Sequence, residues 1–200
     1  MSGLCFLYKL VERIVAKQLT IDINSNNLDN SHHSAYKPGN STETALLSIT
    51  NEIQLSLACG EPTALVLLDL SAAFDAIDHD TLLNYLKSWF GLQSTVLKWF
   101  VSYLSNRCQA IKIGSTLSEL TKFLYGVPQG SVLGPLLFSL YTTPLSKIFS
   151  LHPDIKFHFY ADDTQLYIYL YHRNVSSALT KLNVCLQEVQ KWMAQSKLKP

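Results

Sequence analysis

Two groups of acidic residues in this chain have the type and spacing that metal chemistry needs. Asp69 ends a short apolar run, and Asp162 and Asp163 stand side by side between two segments rich in aromatic residues. A buried carboxylate is costly unless it is paired or metal-bound, and adjacent like charges repel unless a cation is near. The alternatives are a surface aspartate at a strand end and a simple turn, because aspartate is a common turn residue.

A third segment, GVPQGS at residues 126–131, could contact phosphate or sugar. Its two glycines and one proline fix a loop immediately before an apolar stretch that predicts a helix. Such a loop exposes backbone amides at a helix N-terminus, where anions are favoured. A purely structural strand-to-helix turn would have the same composition, so both interpretations stay open from this pattern.

The elements that must position these residues are helices and strands in alternation. Asn40 with Glu43 is interpreted as a capping box opening a helix that Gly60 closes, and Asp78 or Asp80 as the cap of the next helix. Apolar spacing predicts further helices at 7–19, 82–90, 94–104, 131–149 and 175–194, and strands at 64–69, 107–113, 155–160 and 164–170. This mixture predicts an α+β fold.

Composition indicates a folded chain and leaves the partner open. Of the 200 residues, 48% are hydrophobic and 16% are charged, which excludes wholesale disorder. The net charge of +1 gives no sign of a nucleic-acid partner by itself. It combines an acidic window without Lys or Arg, residues 39–85, with basic flanks at 98–122 and 173–199. The pattern favours either a metal site beside a phosphate-binding surface or ordinary solvated faces.

Taken together and in this order, the motifs resemble the palm of a reverse transcriptase. The segments STETAL (41–46), LLDLSAAFD (67–75), GVPQGSVLGP (126–135) and YADDTQLY (160–167) are similar to those of non-LTR, LINE-type retrotransposon reverse transcriptases of animals. A group II intron maturase or a telomerase-like palm fits the acidic residues, but it fits SAAFD and GVPQGS less well.

The resemblance covers nearly the whole chain and implies its fold. The expectation is a right-hand polymerase palm, an antiparallel sheet backed by helices, with part of the fingers. Residues 1–62 would be mainly fingers and residues 63–200 mainly palm, with the chain truncated before the thumb.

The resemblance also implies RNA-directed DNA polymerase chemistry with two Mg²⁺ ions, for which Mn²⁺ could substitute. Asp69, Asp162 and Asp163 would be the catalytic metal ligands, with the backbone carbonyl of Leu70 as a further ligand. Carboxylates suit Mg²⁺, which prefers hard oxygen donors, and a two-metal site needs them to converge from different strands. One ion would activate the primer 3′-hydroxyl, and the other would hold the triphosphate.

The remaining implied contacts are with the nucleotide and the primer end. Phe74 would be a gate under the sugar, excluding the 2′-hydroxyl, although a core phenylalanine is its alternative. Lys37 stands where the family usually has Arg, and lysine lacks the bidentate fork, so a surface lysine is its alternative. The other implied residues are Gln129 and Gly130, with Gly126, beside the nucleotide, and Tyr160 and Ala161 beside the primer end.

The implied partners are an RNA template, a DNA primer and a dNTP, with no membrane involved. No apolar run resembles a signal peptide or a membrane span, so a nuclear and cytoplasmic location is expected. The alternative function is a truncated, catalytically inactive retroelement remnant, at most a nucleic-acid-binding or interaction fragment. Without a thumb, the chain alone is expected to be a poor polymerase.

Overall fold

Helices and antiparallel strands alternate along the chain in the computed structural model, which describes residues 5–37, 39–70, 74–128, 130–171 and 174–198. The helices are α1 (Phe6–Ser25), α2 (Thr42–Ala58), α3 (His79–Ser88), α4 (Ser94–Leu104), α5 (Gly134–Ser150) and α6 (Val175–Gln195). The strands are β1 (Thr63–Asp69), β2 (Cys108–Gln109), β3 (Lys112–Ile113), β4 (Thr116–Leu117), β5 (Thr121–Lys122), β6 (Ile155–Tyr160) and β7 (Asp163–Tyr169). The predicted α+β class is confirmed.

The chain divides into two compact units that are each discontinuous in sequence. Met1–Leu28 and Ala73–Tyr141 form the first unit, and Asp29–Ala72 and Thr142–Pro200 form the second. The division of the chain into fingers and palm segments stays a prediction. None of the described helices combines the length and apolar character needed to cross a lipid bilayer.

The second unit is built on an antiparallel sheet with the strand order β1-β7-β6. Leu166 and Ile168 of β7 and Phe159 of β6 are buried on one face, following the two-residue period of a strand. Helix α6 contacts β7 and buries Leu182 and Val189, which recur at helical spacing. The apolar face of the sheet and the apolar side of α6 therefore supply the core of this unit.

Helix α2 is tied to the same sheet by polar contacts. The Tyr167 hydroxyl donates to Glu52 Oε2 at 2.9 Å, and the Tyr169 hydroxyl donates to the same oxygen at 3.2 Å. Both tyrosines lie on β7 and are two residues apart, so they share a face of the strand. This bond pair fixes α2 against the strand that also carries Asp163.

The predicted capping box of α2 is wrong by one residue. Ser41, not Asn40, is the N-cap: its Oγ accepts a hydrogen bond from the Thr44 backbone at 3.2 Å. Thr44, not Glu43, completes the box, because its Oγ1 accepts from the Ser41 backbone at 2.9 Å. Ser and Thr satisfy the same free amides as Asn and Glu, so composition alone left the register ambiguous.

The predicted strand at 107–113 is also wrong, because the segment changes partner halfway. Strand β2 pairs with β5, and β3 pairs with β4. Between them, Ile111 and Ser118 exchange bonds: the Ile111 amide donates to Ser118 Oγ, and the Ser118 amide donates to the Ile111 carbonyl, both at 2.9 Å. Gly114, at φ +62°, makes the tight turn between β3 and β4.

Other helix boundaries differ from the predicted ones: α1 extends to Ser25 rather than to residue 19, and α3 is His79–Ser88 rather than 82–90. Helix α5 begins at Gly134 rather than at residue 131, because Ser131 Oγ accepts the Gly134 amide at 2.9 Å and lies before the helix. Asp78, the first of the two candidate caps, is the N-cap of α3 and accepts the Thr81 amide at 3.1 Å.

The first unit contains a buried carboxylate that joins three of its segments. Glu12 of α1 is 1% exposed. Its Oε1 accepts the Tyr103 hydroxyl of α4 at 2.6 Å, and its Oε2 accepts the Val132 amide at 2.7 Å. Both carboxylate oxygens thus accept a hydrogen bond, which offsets the cost of burying the charge.

Replacement of Glu12 by alanine should therefore destabilise the protein. Glu12→Ala leaves the Tyr103 hydroxyl and the Val132 amide without their acceptor, and we expect a loss of about 2–4 kcal/mol in the free energy of unfolding. Urea denaturation measures it. Arg13→Ala, at the exposed neighbouring position, is the control and should change stability by less than about 0.5 kcal/mol. Equal losses in the two variants would contradict the role of Glu12.

Candidate active site

The Asp162–Asp163 pair lies at the tip of the hairpin that β6 and β7 form. Tyr160 pairs with Asp163 across a two-residue turn of Ala161 and Asp162. Ala161 has a φ of +55°, a left-handed conformation that costs a non-glycine residue about 1 kcal/mol. The two interpretations of this pair, a turn and an acidic site, are therefore compatible. The turn places two adjacent carboxylates at the end of a sheet.

Strand β1 brings Asp69 to the same end of the sheet. Asp69 lies directly opposite Asp163 in the β1–β7 register. The Leu70 amide donates to the Asp162 carbonyl at 3.4 Å, one residue beyond that pair on each strand. This pattern makes Asp69 and Asp163 a non-hydrogen-bonded pair, the type in which opposing side chains are closest. Both side chains are exposed, whereas Leu70 is 3% exposed.

The three carboxylates repel one another electrostatically. Partial desolvation, then the charge of Asp162, then that of Asp69 raise the pKa of Asp163. No Lys or Arg side chain forms an ion pair with any of the three in the described part of the chain. Like charges directly opposite each other on paired strands are destabilising, so a bound cation would relieve this arrangement.

The donor chemistry fits a divalent cation, but a preformed cluster is not present. Carboxylate oxygens are the ligands that Mg²⁺ takes. Among the described residues, no three His, Cys, Asp or Glu side chains are grouped closely enough to hold a metal ion. The sheet therefore brings the backbones of Asp69, Asp162 and Asp163 together, and the carboxylates would have to converge when an ion binds.

A segment that precedes α2 runs along the outer edge of β6 towards this tip. His33 forms a parallel bridge with Phe159. The Phe159 amide donates to the His32 carbonyl at 2.9 Å, and the Ser34 amide donates to the Phe159 carbonyl at 3.1 Å. Because the segment runs parallel to β6, residues after Ser34 approach the hairpin turn.

Tyr36 is a residue of this site that the sequence did not indicate. The pKa of the Tyr36 hydroxyl is raised by desolvation and then by the nearby Asp162 and Tyr160. The electrostatic effect of these two residues indicates that the Tyr36 phenol lies near both of them. Its backbone is left-handed, at φ +62°. In the sequence, Tyr36 is marked only by its position beside Lys37. No local pattern indicates that residue 36 lies near residue 162.

Lys37 follows Tyr36, and its ammonium group is already engaged. Lys37 Nζ donates to Asp29 Oδ2 and to the Asn30 carbonyl, both at 2.7 Å. Its side chain is 27% exposed. A triphosphate would have to compete with Asp29 for this lysine, so its nucleotide-binding role stays a prediction.

In the first unit, the glycine loop packs against the Phe74 backbone. The Val127 amide donates to the Phe74 carbonyl at 2.8 Å, and the Gly126 amide donates to the Ile77 carbonyl at 2.7 Å. A Cβ at Gly126 would lie 2.6 Å from the Phe74 carbonyl oxygen, and its φ is +82°. The contact that demands glycine here is thus with the protein backbone.

Three residues in and beside this loop have predicted nucleotide-binding roles. Phe74 is half-buried, and its ring packs on Phe138 with centroids 5.0 Å apart, so it is in part the core residue of the alternative interpretation. Gly130 is left-handed, at φ +78°. Gln129 lies outside the described residues. The nucleotide-binding roles of Phe74, Gln129 and Gly130 stay predictions.

His33, in the edge segment, is a buried residue with an unusual environment. It is 2% exposed, and neither ring nitrogen has a hydrogen-bond partner. Burial and the positive charge of Lys37 lower the pKa of His33 from 6.5 to about 4. The ring stacks on Phe159, with centroids 6.2 Å apart, so a neutral imidazole serves here as an apolar filler.

Comparison with known families places this geometry in context. The family described as reverse transcriptase (RNA-dependent DNA polymerase) matches residues 1–199. Among curated proteins, the chain is 34% identical over 145 residues to the probable RNA-directed DNA polymerase from transposon BS of Drosophila melanogaster, and the match covers 72% of this chain. It is 32% identical over 139 residues to the probable RNA-directed DNA polymerase from transposon X-element of the same species, covering 67% of this chain.

The matched region is a small part of each relative. It spans 16% of the transposon BS protein and 14% of the X-element protein. These matches support the resemblance to LINE-type retrotransposon enzymes that the motifs indicated.

Solved structures confirm the fold. Apo telomerase from Candida tropicalis, truncated of its C-terminal domain, superimposes with a TM-score of 0.64 at 17% identity and covers 96% of this chain and 39% of its own. Telomerase from Candida albicans, in complex with a fragment of telomeric RNA, gives a TM-score of 0.57 at 14% identity, covering 87% of this chain and 32% of its own. The mixed helices and antiparallel sheet are thus the palm-like fold that the motifs predicted.

Substitution at Gly126 should test the close contact with Phe74. Gly126→Ala combines left-handed strain with a steric clash, and we expect a loss of about 2–4 kcal/mol in the free energy of unfolding. Gly114→Ala is the matched control: its φ is +62°, but nothing lies within 4 Å of the added Cβ. Only the strain of about 1 kcal/mol should appear there. Denaturant unfolding that gave equal losses would refute the contact.

The buried His33 should make the protein sensitive to mild acid. Because the folded-state pKa is lowered, the unfolded chain binds the proton first, and stability present above pH 6.5 is lost as the pH falls towards 4. We expect His33 to contribute about 2–3 kcal/mol to the loss between pH 7 and pH 4.5. The free energy of unfolding of His33→Phe, measured with urea at both pH values, should fall by about that much less than the free energy of unfolding of the wild type. An identical pH dependence in the two proteins would exclude His33 as its source.

Proposed function

The chain belongs to the reverse transcriptase (RNA-dependent DNA polymerase) family, and we propose that it carries the nucleotidyl-transfer site of a non-LTR retrotransposon enzyme. The observation that carries this proposal is the pairing of Asp69 with Asp163 beside the turn residue Asp162. Two aspartates of paired strands and one of the adjoining turn lie at one sheet end, with no cationic side chain paired to them among the described residues. The matches favour this function over that of an inactive remnant.

The proposed reaction joins a dNTP to a primer 3′-hydroxyl. The 3′-hydroxyl releases its proton to solvent, its oxygen forms a bond to the α-phosphorus, and the bond to pyrophosphate breaks so that pyrophosphate leaves. Asp69, Asp162 and Asp163 would hold two Mg²⁺ ions, with the Leu70 carbonyl as a further ligand, and Mn²⁺ could replace them. When bound, such ions lower the pKa of the attacking hydroxyl and stabilise the leaving oxygen. The carboxylates would position the ions, and the ions would offset the repulsion between the carboxylates.

The remaining roles follow the family motif. Phe74 would exclude a ribose 2′-hydroxyl, Gln129 and Gly130 would lie against the nucleotide, and Lys37 would leave Asp29 to reach the triphosphate. The small Ala161 and the half-buried Tyr160 would flank the primer end, at the turn next to the acidic residues.

The partners would be an RNA template, a DNA primer and a dNTP. Basic residues of the first unit, among them Lys112 and Lys122, are exposed and could contact a nucleic-acid backbone without reading its sequence. Copying an element into genomic DNA requires access to chromosomes, so we propose that the protein acts in the nucleus after synthesis in the cytoplasm.

Primer extension on poly(rA)/oligo(dT) with dTTP and Mg²⁺ tests the site. We expect short products from the 200-residue chain. Asp69→Asn, Asp162→Asn and Asp163→Asn should each reduce incorporation at least about 100-fold, because each removes a metal-binding carboxylate. Asp154→Asn is the control, since Asp154 is exposed and pairs with Lys181. Incorporation that survives Asp162→Asn would refute the assignment.

Metal binding provides a measurement that does not depend on turnover. Mg²⁺ or Mn²⁺ should raise the melting temperature of the wild-type chain, because the ion offsets the repulsion between Asp69 and Asp163. Asp69→Asn should lose most of that increase, whereas Asp154→Asn should keep it. An equal increase in all three proteins would mean that the ions bind elsewhere.

A further inference from the structure

A pocket of about 360 Å³ lies beside β6 in the second unit, away from the hairpin tip. Its lining comes from the edge segment at Ser31 and His32, helix α2, the end of α5 with the turn that follows it, β6 itself and Tyr167 of β7. Its volume is at the lower end of the range for small-ligand sites. Its apolar lining includes Ile49, Phe149 and Phe157, and the other lining groups are mainly polar.

The polar groups of the pocket are chiefly hydrogen-bond donors. Lys156, His32 and His158 line it together with Ser31 and Ser48. Lys156 is exposed and forms no ion pair within the described residues. An ammonium group, two imidazoles and two hydroxyls around one small volume are the groups that bind oxyanions in proteins.

The acidic groups near the pocket already have partners. Glu52 lines it, but its Oε2 accepts hydrogen bonds from the Tyr167 and Tyr169 hydroxyls. His152 also lines it, and its Nε2 lies 3.0 Å from Glu188 Oε2. The hydrogen bonds from Tyr167 and Tyr169 leave Glu52 negatively charged, and Lys156 offsets that charge. Protonation of an imidazole then gives the pocket a net positive charge, which favours an anion.

The imidazole of His158 is influenced by its surroundings in the pocket. Partial burial and then the proximity of His32 lower the pKa of His158. His158 Nε2 is also 2.8 Å from Ser34 Oγ, which holds the ring in place. An anion bound beside His158 would favour its protonated form.

We propose that this pocket binds a phosphate group. Lys156 and His158 lie two residues apart on β6, as do His158 and Tyr160, so all three share one face of the sheet. Four residues of strand place Lys156 about 14 Å along β6 from Tyr160. The pocket is thus distinct from the acidic tip, and the proposal does not depend on polymerase activity.

The phosphate could belong to a small molecule or to a nucleic-acid backbone. Isothermal titration calorimetry of the full chain separates these sources. The titrants are inorganic phosphate, AMP and an eight-nucleotide oligo(rU), and sodium chloride at equal ionic strength is the control. Saturable binding of phosphate and AMP that exceeds that of the oligonucleotide would identify a small-molecule site. Oligonucleotide binding at least tenfold tighter than that of AMP would identify a backbone site. Absence of saturable binding by all three would overturn the proposal.

Variants locate the binding. Lys156→Gln should weaken phosphate binding at least fivefold, and lowering the pH from 7.5 to 6 should strengthen it in the wild type. Lys17→Gln, an exposed lysine of the first unit, is the matched control and should bind as the wild type does. Asp162→Asn should also leave phosphate binding intact, which separates this result from failure of the polymerase proposal. Equal weakening in Lys156→Gln and Lys17→Gln would refute the pocket.

Discussion

The antiparallel pairing of β1 with β7 is the constraint on which the candidate site depends. It places Asp69 opposite Asp163, and the β6–β7 turn adds Asp162 beside them. Side chains alternate along a strand, so a slip of one residue would carry Asp69 to the other face of the sheet. The buried face formed by Leu166 and Ile168 resists that slip, because it too would be inverted. The apolar core of the second unit therefore sets the register of the acidic residues.

This register has an electrostatic cost. Two carboxylates face each other in a non-hydrogen-bonded pair, a third is adjacent, and the turn between them holds Ala161 in a left-handed conformation. Such strain and repulsion persist only where the surrounding structure enforces them. Here the sheet and α6 supply that enforcement. The result is an exposed acidic site in which the backbones of the three aspartates are brought together by the sheet.

The outer edge of β6 gives the same sheet a second polar region. The edge segment at 32–34 continues the sheet beyond β6 and brings Tyr36 towards the acidic tip. Further along the strand, Lys156 and His158 line a pocket rich in donors. One strand thus borders an acidic region at its tip and a donor-rich region near its start. The net charge of +1 is the sum over all 16 Lys and Arg and 15 Asp and Glu of the chain, so it does not show this separation.

The sequence by itself determined much of the local structure. Apolar periodicity located the helices and the central strands, and the ordered motifs around Asp69, the glycine loop and Asp162 identified the family. It failed where neighbouring residues have equal local preferences, as for Asn40 and Ser41, or where a segment changes partner, as at Ile111. Only the tertiary structure decided the Asp69–Asp163 pair, the approach of Tyr36 and the pocket at Lys156. Those contacts join residues far apart in the chain, and the packing of the core determines them, which no local pattern encodes.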